Sequence, residues 1–418
     1  MLGEIVGRPN MAAAYARVVS NNGAAGVDKM CADGLLAHMQ RNWEAIKQQI
    51  LAGTYIPQAV RKVEIPKANG GKRMLGIPTV TDRMIQQAIA QKLTAIYDAD
   101  FSGSSFGFRP KRSAHQAVRQ SRGFLNEGYT SVVEMDMEKF FDKVNHDKLM
   151  TILSERITDK ALLKLIRRYL ASGILEGGLI SVRSEGTPQG SPLSPILSNI
   201  LLDKLDKELE GRGHRFVRYA DDVSIYVKSK RAAERTLQSV TSYLEDVLLL
   251  KVNREKSKVS RPMESNLLGF TFGKVYGFWE PLLSPKTKDR IKEKIKTITS
   301  RKVSVRLEDR LRKLAQTSIG WCSYFAISKG KTFMARLDEW TRFRIRMCIW
   351  KAWKQPRTRI RELIRLGMAK HHAYMNGNTR KGYCRIAHSG TLHHTLTNNY
   401  LERMGFQPIL KYYESRQV

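Results

Sequence analysis

Cysteine is scarce in this chain of 418 residues: Cys31, Cys322, Cys348 and Cys384 lie far apart and form no CxxC pair. That excludes a disulfide framework and a zinc ribbon, and it suits a reducing compartment. Long apolar runs are also missing. No stretch of about 18 apolar residues occurs, and the N-terminus (MLGEIVGRPNMAAAYARVV) has no charged start followed by an apolar core. Membrane and secretory readings fall away, leaving a cytoplasmic one. Internal repeats and low-complexity tracts are absent as well, which removes solenoids and disordered tails. The last shortage is of acid: 39 Asp and Glu stand against 72 Lys and Arg, a net charge of +33. Such an excess repels itself unless a polyanion neutralises it, and nucleic acid is the natural partner. The charge is uneven, since residues 281–370 carry 25 Lys and Arg against 7 Asp and Glu. The length allows two or three domains with ample core.

Against that basic background the stretch FVRYADDVSIYV, residues 216–227, sets Asp221 and Asp222 side by side in apolar surroundings. Its flanks read as two short strands, with Val223, Ile225 and Val227 alternating on one face and a bend at 219–222. Two like charges at a bend belong either to a solvated turn or to a bound divalent cation. A cation needs a second carboxylate source. The segment TSVVEMDMEKFFDKVNH, residues 130–146, offers one: Val132 and Val133 form a strand ending near Asp136, and Phe140-Phe141 opens a helical or turning segment. Asp136 and Asp221 are 85 positions apart, so only neighbouring antiparallel strands bring them together. Paired there, they would grip two Mg2+ ions about 3.5–4 Å apart, with substrate phosphates completing the shell. Asp142, six residues on, is assigned a role in the structure or behind the metal ligands.

Other segments carry weaker signals. EGTPQGSPLSPILSNILLDKLDKELE, residues 185–210, reads as a Gly and Pro loop entering an amphipathic helix, with Ser194 as N-cap and Pro195 as first helical residue. VEIPKANGGKRMLGIP reads as a hairpin whose tip bears Asn69-Gly70-Gly71 between Lys67 and Lys72-Arg73. The aromatics of the basic region, among them Trp321, Phe325, Trp340, Trp350 and Trp353, recur at helical spacing and belong to a core. Residues 371–418 hold five of the nine histidines, in no metal-binding pattern.

Taken in order, DMEKFF (136–141), TPQGSPLSP (187–195) and YADD (219–222) resemble the palm motifs of reverse transcriptases. LGIPTVTDR (75–83), SSFGFRP (104–110), LKVNREKSKV (250–259) and LLGF (267–270) extend the likeness. The set resembles the reverse transcriptase and maturase proteins encoded by bacterial group II introns, with NNGAAGVD (21–28) similar to their N-terminal extension. GWCSYF (320–325) and RFRIRMCIWKAWK (342–354) are similar to their thumb, or maturase, domain.

The resemblance implies an α+β right-hand polymerase: helical and hairpin fingers, an antiparallel palm sheet and an all-helical basic thumb. N-terminal extension and fingers would occupy 1–125, palm 126–280, thumb 281–370, and a DNA-binding-like segment without an endonuclease 371–418. Asp136 and Asp221 would bind two Mg2+, or Mn2+ in their place, with the Met137 carbonyl as a ligand and Asp222 in support. Lys67, Arg73, Phe141, Gln189, Ala220 and Lys256 would meet the nucleotide, Phe141 as a gate against the 2′-OH and Lys256 as proton donor to pyrophosphate. Ser191 stands where the family often has Gly. Arg83, Arg109, Arg344, Arg346, Lys351 and Lys354 are the expected template and primer contacts. Implied partners are an RNA template, a DNA or RNA primer, deoxynucleoside triphosphates, group II intron RNA and target DNA, with the protein on the nucleoid when bound to DNA. The implied function is RNA-directed DNA synthesis with splicing and retrohoming. Two rival readings are a domesticated polymerase in DNA repair or phage defence, and a non-catalytic RNA-binding splicing factor.

Overall fold

The computed structural model describes residues 1–66, 71–176, 179–181, 185–187 and 190–417. The chain divides into two compact units, Met1–Pro262 and Met263–Val418. Their composition already separates them: strands rich in Val, Ile and Tyr belong to the first, and most of the basic helices to the second.

In the first unit, β1 (Val60–Pro66) and β2 (Lys72–Ile77) form an antiparallel hairpin. β3 (Ser131–Met135) follows two helices later, and β4 (Ile174–Glu176) and β5 (Leu179–Ser181) pair with each other. β4 also lies parallel to β1, so one sheet runs β2-β1-β4-β5. β6 (Arg215–Tyr219), β7 (Asp222–Val227) and β8 (Lys258–Ser260) join β3 in a second sheet, ordered β6-β7-β3-β8 and antiparallel throughout. β3 lies inside this second sheet, which is the one expected to form the palm.

Helices cover that sheet because its strands are apolar on both faces. Val223, Ile225 and Val227 enter the main core as expected, but Ser224 and Tyr226 are buried too. Tyr226 meets Phe124 of the helix Ala114–Asn126 at 5.7 Å between ring centroids. The expected alternation of buried and open positions therefore fails: a strand covered on both sides leaves no solvent face. The helix Ser194–Gly211 shows the same effect, since Ile196 to Leu202 are buried all round rather than along one stripe. It starts one residue before the expected position, with Ser194 inside the first turn and Leu193 preceding it. The helix Val80–Tyr97 begins at Thr79, whose hydroxyl accepts from the Asp82 N–H at 3.1 Å. It lines the core with Ile85, Ile89 and Leu93.

The second unit opens with a hairpin of β9 (Phe270–Val275) and β10 (Phe278–Leu283). Helices follow: Pro285–Ile298, capped by Ser284, then Leu307–Phe325, Lys331–Ala352, Pro356–Arg365 and shorter ones up to Glu414. Trp350 is fully buried at its centre, with Trp321, Phe325, Trp340 and Trp353 packed around. The aromatic spacing does mark a core. Asp338 ties down the last helix by accepting from the Ile409 and Leu410 N–H groups at 2.8 and 2.9 Å. Among the described residues, no helix is long and apolar enough to cross a membrane.

Candidate active site

The acidic residues meet because of strand register. Met135, at the end of β3, pairs with Val223 of β7, and Tyr219 pairs with Asp222 across the β6–β7 turn. One step beyond β3 therefore sets Asp136 opposite the turn that carries Asp221 and Asp222. A second strap fixes Asp136 from the other side. Its carbonyl accepts from the Asn253 N–H at 2.8 Å, its own N–H donates to Ser257 Oγ at 3.0 Å, and Met137 bridges to Val252. Lys256 Nζ lies 3.2 Å from Asp136 Oδ2.

Electrostatics agree with that convergence. The Asp222 carboxyl is pushed up to about 6 by desolvation and then by the charges of Asp221 and Asp136, with Lys256 opposing. Asp222 nonetheless keeps an exposed surface, so the crowding of like charges is the cause the geometry supports best. The donor set suits a hard divalent cation: every available ligand is oxygen, and one ammonium already sits against Asp136. Among the described residues no group of three or more His, Cys, Asp or Glu forms a closed metal cage. A shell here would need oxygen from substrate phosphates.

What holds the turn was not visible beforehand. Ala220 is buried with φ of 57°, in the left-handed region, and its carbonyl accepts from Arg218 Nη1 at 3.0 Å. The Arg218 guanidinium is wholly buried, paired with an equally buried Asp206 at 2.6 Å and bonded to Asn199 Oδ1 at 2.9 Å. Asn199 in turn donates to the Gly107 carbonyl at 3.0 Å. Gly107 lies so close that a Cβ there would sit 2.2 Å from the Ala220 nitrogen, so only glycine fits. Thus the SSFGFRP loop, the helix 194–211 and β6 converge on the turn. One signal could have found this lock: a lone Arg inside an otherwise apolar strand needs a buried anion.

Phe141 is half-buried, edge-on to Phe140 at 5.2 Å. Its carbonyl accepts from the Thr187 N–H at 2.5 Å, which ties it to the 185–187 segment. Together with Tyr219, Arg83, Gly190 and Ser191 it lines a cleft of about 1010 Å³. Ser191 Oγ donates to Gln86 Oε1 at 2.8 Å, so the residue found in place of Gly pins its loop to the helix 80–97. The Asp142 backbone lies against Gly186.

The expected template contacts separate into two kinds. Arg83 reaches the cleft and donates to the Ala24 carbonyl at 2.9 Å. Arg109 borders the same cleft, but its side chain is almost wholly buried and commits Nε, Nη1 and Nη2 to Asp98, Ser102 and Ser105. Arg346 is buried and donates to the Leu396 carbonyl and Asn398 Oδ1 at 2.9 and 3.0 Å. For these two the expectation of a template contact is corrected, because their side chains are buried as well as bonded within the fold. In the second unit Arg344 stacks over Trp340 and bonds Thr299, while Lys351 and Lys354 line a basic pocket of about 270 Å³ with Arg301, Lys302 and Arg310. Lys67 and Gln189 lie outside the described residues, as does the Arg73 side chain; the Arg73 backbone pairs with Ile65.

An antiparallel palm sheet presenting acids from two strand ends beside a wide cleft defines a right-hand polymerase. Comparison with known proteins carries this further. Residues 65–272 match the reverse transcriptase (RNA-dependent DNA polymerase) family and residues 288–367 the group II intron maturase-specific domain. Protein YkfC of Escherichia coli K12 is 32% identical over 296 residues, 61% of this chain and 78% of YkfC. The group II intron-encoded protein LtrA of Lactococcus lactis is 40% identical over 197 residues, 46% of this chain but only 32% of LtrA. A solved partial Cas6-RT-Cas1–Cas2 complex aligns with 58% of this chain and 42% of its own at 27% identity, with a TM-score of 0.38. The chain belongs to the group II intron reverse transcriptase/maturase family, and it is an RNA-directed DNA polymerase.

Proposed function

We propose that this polymerase works by two-metal nucleotidyl transfer, joining deoxynucleoside triphosphates to a DNA or RNA primer on an RNA template. Asp136, Asp221 and the Met137 carbonyl would hold two Mg2+, with Asp222 adding negative charge nearby. When bound, such a pair activates the primer 3′-hydroxyl and neutralises charge on the transferring phosphate. The remaining work falls to side chains. Phe141 excludes a 2′-OH by its bulk. Lys256, now on Asp136, is free to turn and hold a proton for the departing pyrophosphate. Lys67, Arg73 and Gln189 would grip the triphosphate beside Ala220, and Arg83 the template. Charge of the second unit supports the rest of the reading: binding of intron RNA through Arg344, Lys351 and Lys354, help in splicing, and insertion at target DNA.

One observation carries the proposal: the register of β3 on β7 delivers Asp136 to the Asp221-Asp222 turn, against a lysine cation. The test is extension of a DNA primer on an RNA template with Mg2+ and deoxynucleotides. Product that grows to the template end supports the proposal, and no extension under any divalent cation refutes it.

A further inference from the structure

The β9–β10 hairpin ends in a turn that folding alone does not explain. Val275 pairs with Phe278, leaving Tyr276-Gly277 as a two-residue loop with φ of 50° and 87°. Both positions lie in the left-handed region, where Asn-Gly or Asp-Gly are preferred and a bulky ring is strained. Tyr276 is nevertheless the residue used, and it is 97% exposed. Phe278, next to it in sequence and 65% exposed, adds a second open ring. The base of the same hairpin is ordinary: Phe270, Phe272 and Leu283 are buried. Strain at a fully open aromatic points to something outside the chain.

The surroundings indicate what that is. On the hairpin's opposite face Lys274 sits over Trp279 at 5.7 Å. β10 runs into the helix Pro285–Ile298, where exposed Lys286, Arg290 and Lys294 recur every fourth residue, while Lys288 and Lys292 sit over Phe333 and Lys296 pairs with Glu293 at 3.2 Å. A tip with two open rings, followed by a helix with Lys286, Arg290 and Lys294 along one face, matches a single-stranded nucleic acid. Bases stack on the rings, and the phosphates run along the charge.

We propose that Tyr276 and Phe278 form a stacking platform for an unpaired nucleobase of RNA bound to the second unit. The inference rests on the RNA-binding part of the reading above, not on catalysis. It adds a contact that reads single-strandedness, which phosphate binding cannot do.

The test uses the full chain and two probes of equal length: a single-stranded RNA carrying 2-aminopurine and a fully paired RNA–DNA duplex. The double variant Tyr276→Gly/Phe278→Ser relieves the left-handed strain, so its Tm should equal or exceed wild type. Its affinity for the single strand should fall at least about fivefold, with loss of 2-aminopurine quenching, while duplex affinity stays unchanged. Tyr276→Trp alone should keep the quenching. Unchanged single-strand affinity and quenching in the double variant would overturn the proposal. So would an equal loss for both probes, which marks a phosphate contact, or loss of self-association alone, which marks an interface between copies. Primer extension on a preannealed duplex is measured separately: if wild type fails there but still quenches, the catalytic reading fails and the platform stands.

Discussion

Replacing Arg218 by Met tests how the turn carrying Asp221 and Asp222 is held. Arg218 and Asp206 are both completely buried, 2.6 Å apart, and among the described residues Arg218 supplies the side-chain bond to the Ala220 carbonyl. Arg218→Met leaves the Asp206 carboxylate without its counter-charge in a dry interior, which costs about 3–5 kcal/mol. For a unit of this size that is a fall of about 6–20 °C in the first unfolding transition. Adding Asp206→Leu removes the stranded charge, so the double variant should recover most of the stability. It should not recover synthesis, because Ala220 still lacks its donor and the left-handed turn loses its anchor. Thermal unfolding and primer extension, run on the wild type, the single and the double variant, separate the two effects. A single variant as stable as wild type, or a double variant with full extension, would refute the argument.

Three further outcomes follow from the geometry. Phe141→Ala should relax discrimination against ribonucleotides by about 10- to 100-fold, read from competing extension with ribo- and deoxynucleotides; unchanged selectivity removes the gate. Arg83→Ala should weaken binding to template and reduce the slope of log affinity against log salt by about one. Arg346→Ala should leave that slope alone and instead lower the stability of the second unit by about 1–3 kcal/mol, since it strands the Leu396 carbonyl; titration in salt and chemical denaturation distinguish these.

Much of the site was legible because it depends on local pattern. Adjacent acids inside β-branched segments signalled two strands, β6 and β7, with the acids at their turn, and the Gly-rich stretch between Lys67 and Lys72 signalled a hairpin that β1 and β2 form. What escaped depends on tertiary context. The alternation expected in β7 vanished because helices cover both of its faces. The Arg218–Asp206–Asn199 lock joins residues that no local rule connects, and Gly107 is required only by the nearness of Ala220. A basic residue also looks the same in sequence whether it faces solvent or interior: Arg83 and Arg109 both border the cleft, yet the buried Arg109 side chain, like Arg346, is spent on carbonyls and an inward carboxylate or amide. Tyr276 could not be singled out until the left-handed turn beneath it was known.

The most direct check is Asp221→Asn, measured for DNA synthesis on an RNA template and for RNA affinity in the same preparation. Synthesis should disappear while affinity stays within about twofold of wild type, since one side chain at the turn contributes charge to chemistry and little to the phosphate track. Vigorous synthesis by that variant would contradict a shared metal site at Asp136 and Asp221.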